Sequence, residues 1–164
     1  MAERARIRGA QRGSVSDFEA LFREHWPRAF RAAYLVVHDA AAAEDIAQES
    51  FLAAVRSLDR FDFRRPFGPW LHRIAVNRAI DWARARALRS ETEEQDVPAP
   101  DPPEPDERML PALASLDPEH RAVIVLRYLL EYTPGEIAEL LDLPRGTVNS
   151  RLRRALDQLK GRLE

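Results

Sequence analysis

The spacing of apolar residues along the chain is helical almost throughout. From Phe18 to Val37 they recur at intervals of three and four positions, and the same period continues over residues 42–58 and 70–88. No stretch alternates apolar and polar residues as a half-buried strand does. Pro27 lies inside the first segment, where a proline is expected to kink or divide a helix. We therefore expect an all-α fold.

Local signals suggest where these helices begin and stop. Ser16 and Glu19 have the spacing of a capping box, which predicts the start of the first helix. Residues 61–69 contain two prolines and a glycine and are expected to form a loop. Residues 1–13 contain four arginines and are expected to form a mobile tail.

Four more helices are predicted in the last third of the sequence, at residues 109–115, 118–130, 133–141 and 145–163. Asp117 is expected to cap the second of them, with Pro118 at the first helical position.

The strongest local pattern is a helix-turn-helix. Thr133 and Glu136 form a predicted capping box around Pro134, and the helix that follows is only about two turns long. Asp142 lies at the turn, where its side chain tolerates the left-handed conformation. Pro144 then begins a new helix. This is the layout of a DNA-binding motif, although a helical hairpin with a solvated basic face has the same outline.

The second helix of this motif has a predicted buried stripe of Val148, Leu152, Ala155, Leu156 and Leu159. Arginine can bind guanine and asparagine can bind adenine, so the polar residues outside that stripe are candidate DNA contacts. They are Arg145, Thr147, Asn149, Ser150, Arg151, Arg153 and Arg154.

Charge divides the 164 residues into three parts. The formal net charge is −2, but residues 91–107 carry eight acidic groups, no basic group and five prolines. Such a segment cannot bury enough surface to fold, so we expect an acidic, proline-rich linker, either a plain tether or a segment with its own binding role. It separates two small helical domains, residues 14–90 and 108–164. Basic clusters in both suggest two contacts with a polyanion.

Composition argues against several other classes of protein. There is no cysteine, no signal peptide and no apolar run long enough to span a bilayer, so we expect a cytoplasmic protein without membrane insertion. The four histidines show no metal-binding spacing, and no nucleophile elbow or phosphate-binding loop is present. We expect no metal, no cofactor, no small-molecule substrate and no enzymatic activity.

Three segments in order resemble extracytoplasmic-function (ECF) sigma factors of bacterial RNA polymerase. Residues 43–52 (AEDIAQESFL) resemble the polymerase-binding helix of that family, and residues 70–81 (WLHRIAVNRAID) resemble its helix that contacts the melted −10 element. Residues 116–152 resemble its −35-binding region. The resemblance implies two helical domains that bind core RNA polymerase and direct it to promoter DNA. Members of the family are often held inactive by an anti-sigma protein, which is therefore an expected partner.

The polymerase contact is expected on one face of the second helix. Asp45, Gln48, Glu49 and Leu52 recur at helical spacing opposite its apolar face. By resemblance, their target is the clamp helices of the largest polymerase subunit. Without the resemblance, an ordinary solvated acidic face would explain the same pattern.

The −10 contact is expected on the third helix and the loop before it. Asn77 occupies the family position that contacts single-stranded DNA, and the loop corresponds to the one that captures an extruded base. An aromatic ring there could stack on a base, or it could close the core, as we expect for Phe61, Phe67 and Trp70. The candidate residues are Phe63, Arg64, Arg65, Arg73, Asn77 and Arg78.

Two departures from the family pattern limit what can be inferred. Asn149 stands where many relatives carry Lys or Arg, and Arg153 stands where some carry an aromatic residue, so the −35 sequence cannot be taken from a relative. The alternative hypotheses are a stand-alone helix-turn-helix repressor, an enzyme, and a sigma mimic that only sequesters a regulator. The repressor hypothesis predicts strong promoter binding by the protein alone, and the sigma hypothesis predicts weak binding without polymerase.

Overall fold

A computed structural model describes residues 2–92 and 108–164, without the side chains of 90–92. The described residues are helical and contain no strand, which confirms the predicted all-α class. The helices are α1 (Ala2–Gln11), α2 (Val15–Val37), α3 (Ala40–Arg56), α4 (Phe67–Thr92), α5 (Met109–Ala114), α6 (Pro118–Ile124), α7 (Pro134–Leu141) and α8 (Arg145–Leu163). The predicted linker lies outside the described residues from position 93 onward.

The N-terminal residues do not form the predicted mobile tail. They form α1, which packs against α2 and buries Ile7 completely. Gly13, at a φ of 91°, turns the chain into α2. The capping prediction was also wrong by two positions, since the hydroxyl of Ser14, and not of Ser16, accepts a hydrogen bond from Asp17 N at 3.3 Å.

Two of the predicted proline effects differ in the structure. Helix α2 is not divided at Pro27, because the aromatic side chains of Trp26 and Phe30 and the packing against α3 and α4 hold it together. Helix α4 begins at Phe67 rather than at Trp70. Pro69 is accommodated because the first turn of a helix leaves its N–H groups without helical partners.

The predicted helix over residues 118–130 is shorter than expected. Pro118 begins α6 as predicted, but Asp117 makes no capping hydrogen bond with its side chain. After Ile124 the chain widens into a π-helical turn, Val125–Leu129, closed by the bond from Leu130 N to Val125 O. Leu156, predicted to be buried on α8, is 42% exposed.

Two hydrophobic clusters hold the molecule together. One joins α1, the first half of α2, the end of α3 and the start of α4 around Leu21, Phe51, Phe67 and Leu71. The other joins the second half of α2 and the middle of α4 to α5–α8. We call α1–α4 the first module and α5–α8 the second module. Their cores are therefore continuous in this arrangement.

Polar contacts reinforce the junction of the two modules. Arg121 of α6 is buried and donates hydrogen bonds to Val36 O of α2 and to Leu116 O of its own module. Arg84 of α4 pairs with Glu119 at 2.5 Å. His72 of α4 shares a 2.7 Å hydrogen bond with the hydroxyl of Tyr132. We refer to these three contacts as the module clasp.

The clasp makes the stability of this arrangement dependent on pH. Burial, with smaller effects of His25 and Arg28, lowers the pKa of His72 to about 4, and burial also raises the pKa of Tyr132 to about 12. His72 is therefore neutral when buried, whereas an unfolded chain binds its proton below about pH 6.5. Stability is present above that pH and is lost as the pH falls toward 4.

We expect the free energy of unfolding to fall by about 2 kcal/mol between pH 7 and pH 5 on account of His72 alone. The pKa of His38, lowered to about 4 mainly by burial, acts in the same direction. Urea unfolding at both pH values measures the loss, and His72→Asn should remove the His72 share of it. An unchanged pH dependence in that variant would exclude His72 as the source.

Candidate nucleic-acid and polymerase interfaces

The helix-turn-helix forms as its local sequence predicts. The hydroxyl of Thr133 accepts a hydrogen bond from Glu136 N, and the carboxylate of Glu136 accepts one from Thr133 N. These bonds lower the pKa of Glu136. Asp142 ends α7 in the left-handed conformation with a φ of 54°, and α8 starts at Arg145. The capping box, the turn and the start of α8 are thus confirmed.

The candidate −35 residues lie on the outer side of α8. Val148, Leu152 and Ala155 face the core, so the other positions of the same turns point outward. Arg145, Asn149, Arg153 and Arg154 are exposed, and Thr147, Ser150 and Arg151 are half-buried. Gly146 adds no side chain and would have open space around a Cβ atom. Another surface can therefore approach the first turn of α8 closely.

The candidate −10 loop is held by an aromatic cluster and an ion pair. Phe61 stacks on Trp70 at 4.2 Å between ring centroids, and Phe67 is buried beside them, as the core prediction for these aromatics requires. Arg64 forms hydrogen bonds with Asp62 at 3.0 and 3.3 Å. These bonds lower the pKa of the Asp62 carboxyl. The exposed Arg65 has no such partner among the described side chains.

Helix α4 carries the other three candidate −10 residues. Arg73 and Arg78 are exposed and Asn77 is half-buried. The side-chain amide of Asn77 donates to Arg73 O at 2.8 Å. Arg78 pairs with Glu49 of α3 at 3.1 Å, so a predicted DNA contact and a predicted polymerase contact are coupled to each other.

A groove of about 540 Å³ separates the loop from the second module. Arg60, Arg65 and Arg73 of the first module line it, together with Glu136 and Glu139 of α7. Carboxylates of one module therefore share a groove with the arginines of the other.

The candidate polymerase strip is a continuous exposed face of α3. Asp45, Gln48 and Glu49 are exposed, and Leu52 is 54% exposed although it is a large apolar residue. Val55, one turn further along, is also exposed. Exposed apolar side chains at one end of the strip, beside two carboxylates, are more typical of a docking surface than of an ordinary solvated acidic face.

Helix α1 is part of this site and was missed by the sequence analysis. Gln11 donates hydrogen bonds of 2.9 Å to Leu58 O and Phe61 O, which hold the start of the loop. The guanidinium of Arg8 lies 5.1 Å from the ring centroid of Phe63. The local signal that could have revealed α1 is Gly13, which is typical of the residue beyond a helix end.

Three ionisable side chains hold the start of α1 in place. Glu3, Glu24 and His25 bring their oxygen and nitrogen atoms within 4.8 Å of one another, an arrangement that can also ligate metals. Here Glu3 bonds His25 at 2.8 Å and accepts from Phe67 N, while Glu24 pairs with Arg6. These partners tie α1 to α2 and to the first residue of α4.

Comparisons with known proteins agree on one family. Residues 21–89 match the model of Sigma-70 region 2, and residues 112–161 match that of Sigma-70, region 4. The chain is 36% identical to the ECF RNA polymerase sigma factor SigL of Mycobacterium tuberculosis, over 95% of this chain and 94% of that protein. It is 35% identical to the RNA polymerase sigma factor CarQ of Myxococcus xanthus, over 90% of each. The chain belongs to the ECF sigma factors.

This sigma factor therefore binds RNA polymerase and recognises promoters, as the sequence resemblance predicted. Nothing in the comparisons favours the stand-alone repressor. Within residues 2–92 and 108–164, no helix combines the length and the apolar character that crossing a membrane requires.

Two solved structures have similar folds. The sigma factor superposes on CnrH, solved in complex with the cytosolic domain of CnrY, with a TM-score of 0.75, 31% identity and coverage of 98% of this chain and 96% of CnrH. It also superposes on the sigma factor RpoE of Bartonella quintana, solved with the anti-sigma factor NepR, with a TM-score of 0.73 over 91% and 98% of the two chains. At 22% identity this second likeness shows the shared fold.

Proposed function

We propose that the two modules of this sigma factor divide promoter recognition between them. The second module binds the −35 element as duplex DNA, with the exposed turns of α8 in the major groove. The first module binds the melted −10 element through the loop and α4. The observation that carries the proposal is the outward face of α8, where four exposed polar or basic side chains surround a first turn open to close approach.

The −10 assignment rests on the chemistry of the loop and of α4. The ring of Phe63 offers a stacking surface, and Arg65 and Arg73 are exposed cations in the same region. Arginine and aromatic side chains together suit single-stranded DNA, because one neutralises phosphates and the other stacks on bases. Asn77 supplies an amide for a base edge once its bond to Arg73 O opens.

The polymerase contact is assigned to Asp45, Gln48, Glu49 and Leu52 of α3, with the clamp helices of the largest polymerase subunit as the target. Their joint exposure supports this role. None of the assigned roles requires a catalytic group, a metal, a cofactor or a small-molecule substrate, and we assign the protein to the cytoplasm, where polymerase and promoters are found.

We also propose a protein regulator of the anti-sigma type. The support is the likeness to CnrH, which was solved in complex with the cytosolic domain of CnrY. In the arrangement described, Glu136 and Glu139 share the groove with Arg65 and Arg73, and these carboxylates would repel DNA phosphates. A partner that stabilises this arrangement would keep the arginines from the promoter.

Run-off transcription with bacterial core polymerase on genomic fragments, followed by mapping of the start sites, tests the proposed function. We expect defined start points that require both the protein and core polymerase. Initiation at the same sites without the protein, or no initiation at all, would contradict the proposal.

Arg154 is the sharpest test of the −35 assignment. If it binds a base edge, Arg154→Ala should weaken promoter binding by on the order of 1–3 kcal/mol and relax the preference at one base pair. A matched control is Arg162→Ala, an exposed arginine two turns further along α8. Transcription from promoters mutated at single −35 positions distinguishes the outcomes, and unchanged output from Arg154→Ala would remove this residue from the −35 contacts.

A further inference from the structure

Helix α1 presents a row of arginines beside the loop assigned to the −10 element. Arg4 and Arg8 of α1 and Arg12 in the turn that follows it are spaced four residues apart. Arg12 N still bonds Arg8 O, so the three residues follow one side of the helix, and all three are exposed. Arg8, in the middle, places its guanidinium over the ring of Phe63. The row is therefore anchored at the loop itself.

These arginines differ from those of the first module that are paired with carboxylates. Five arginines of the module are held in ion pairs: Arg6, Arg64, Arg78, Arg84 and Arg86. Within the described part of the chain, the side chains of Arg4 and Arg12 have no acidic partner or hydrogen bond. Their charge is thus available to an external anion.

The row also has a fixed position relative to the loop. Ile7 is fully buried, Gln11 holds two carbonyls at the start of the loop, and Glu3 bonds Phe67 N at its end. Both ends of the loop are therefore tied to α1. A basic row on a helix held in this way can follow a strand of phosphates without a large cost in ordering.

We propose that α1 and the turn after it form a further DNA-binding element of this sigma factor, in which Arg4, Arg8 and Arg12 bind phosphates of the single strand whose base is held at Phe63. The ligand class is the sugar–phosphate backbone, so the contact is independent of base sequence. Arg8 additionally positions Phe63 by covering one face of its ring. The inference rests on the proposed −10 role of the loop.

The test compares Arg4→Gln/Arg12→Gln with a matched control, Arg23→Gln/Arg31→Gln, which removes two exposed arginines from α2. Each variant is assembled with core polymerase and bound to a promoter fragment with an unpaired −10 region across a range of salt concentrations. Each single-strand phosphate contact contributes about 0.7 to the slope of log affinity against log salt. Losing two should flatten the slope by about 1.4 and weaken binding about 25-fold at 0.1 M salt, with the difference vanishing near 1 M.

A second probe identifies the partner of the arginines. In it, the phosphates around the unpaired −10 bases are replaced by neutral methylphosphonates. On this probe the α1 variant should bind as wild type does, because the charges that it no longer contacts have been removed. Circular dichroism of each variant checks that the helices remain folded.

The outcomes separate this inference from the proposed function. If wild type binds and opens the promoter while the α1 variant shows the slope of the α2 control, the inference is overturned and the proposed function stands. A deficit of the α1 variant that persists on the neutral probe also overturns it. If the wild-type holoenzyme does not bind the fragment, both the proposed function and this inference are contradicted.

Discussion

Asp45→Lys combined with Leu52→Lys is expected to abolish the association of this sigma factor with core polymerase. Both residues lie on the exposed strip of α3, two turns apart, and neither belongs to the buried core. If the strip is the polymerase contact that we propose, replacing a carboxylate and an apolar anchor there by cations removes two contacts and introduces repulsion. We expect the dissociation constant to rise on the order of a hundredfold or more.

Asp45 and Leu52 were chosen for this variant in preference to Glu49. Glu49 lies on the same strip but pairs with Arg78, so a lysine at position 49 would also disturb α4. A matched control is Val15→Lys/Glu19→Lys, which makes the same kind of change on two exposed residues of α2. Pull-down and titration with core polymerase measure the effect. Equal recovery of polymerase by the strip variant and the control would show that the docking surface lies elsewhere.

The second large effect is expected at Arg121. Its buried guanidinium donates to Leu116 O at 3.0 and 3.3 Å and also to Val36 O, in the last turn of α2. Helix α2 has no basic residue of its own in that turn, so Arg121 supplies the positive charge that favours a helix C-terminus. Burial lowers the pKa of Arg121, but a guanidinium stays charged at any physiological pH.

Arg121→Met should therefore lower the free energy of unfolding by roughly 3–5 kcal/mol, because it leaves two buried carbonyls without donors. Arg121→Lys should recover part of this loss, since one ammonium can reach one carbonyl. Arg127→Met is a suitable control, as Arg127 makes a single long bond of 3.5 Å to Tyr132 O. Urea unfolding followed by circular dichroism gives the values, and a loss below about 1 kcal/mol in Arg121→Met would contradict the role given to the clasp.

The parts of the structure that were predicted correctly depend on short-range sequence signals. Thr133 and Glu136 are three residues apart, and their capping box forms as the spacing indicates. Asp142 takes the left-handed conformation at the turn, and α8 spans the predicted residues. The exposure of Asp45 and Leu52 likewise follows from helical periodicity. In each case the residues that decide the structure are neighbours in the chain.

The parts that were missed depend on contacts between distant residues. Helix α1 has three arginines and one buried residue, Ile7, so its apolar period is too weak to reveal a helix. The module clasp cannot be predicted from local sequence patterns either, because Arg121 and Val36 are 85 positions apart. The start of α2 was predicted wrongly for a different reason. Ser14 and Ser16 are both good capping residues, and only the fold selects the first.

The contacts of α1 with residues far along the sequence also affect the order in which the first module can fold during synthesis. Gln11 bonds residues 47 and 50 positions later, and Glu3 bonds one 64 positions later. The hydrogen bonds that hold α1 can therefore form only after the start of α4 has been synthesised. Loss of the α1 contacts would therefore disturb the loop around Phe63, which is distant in the sequence.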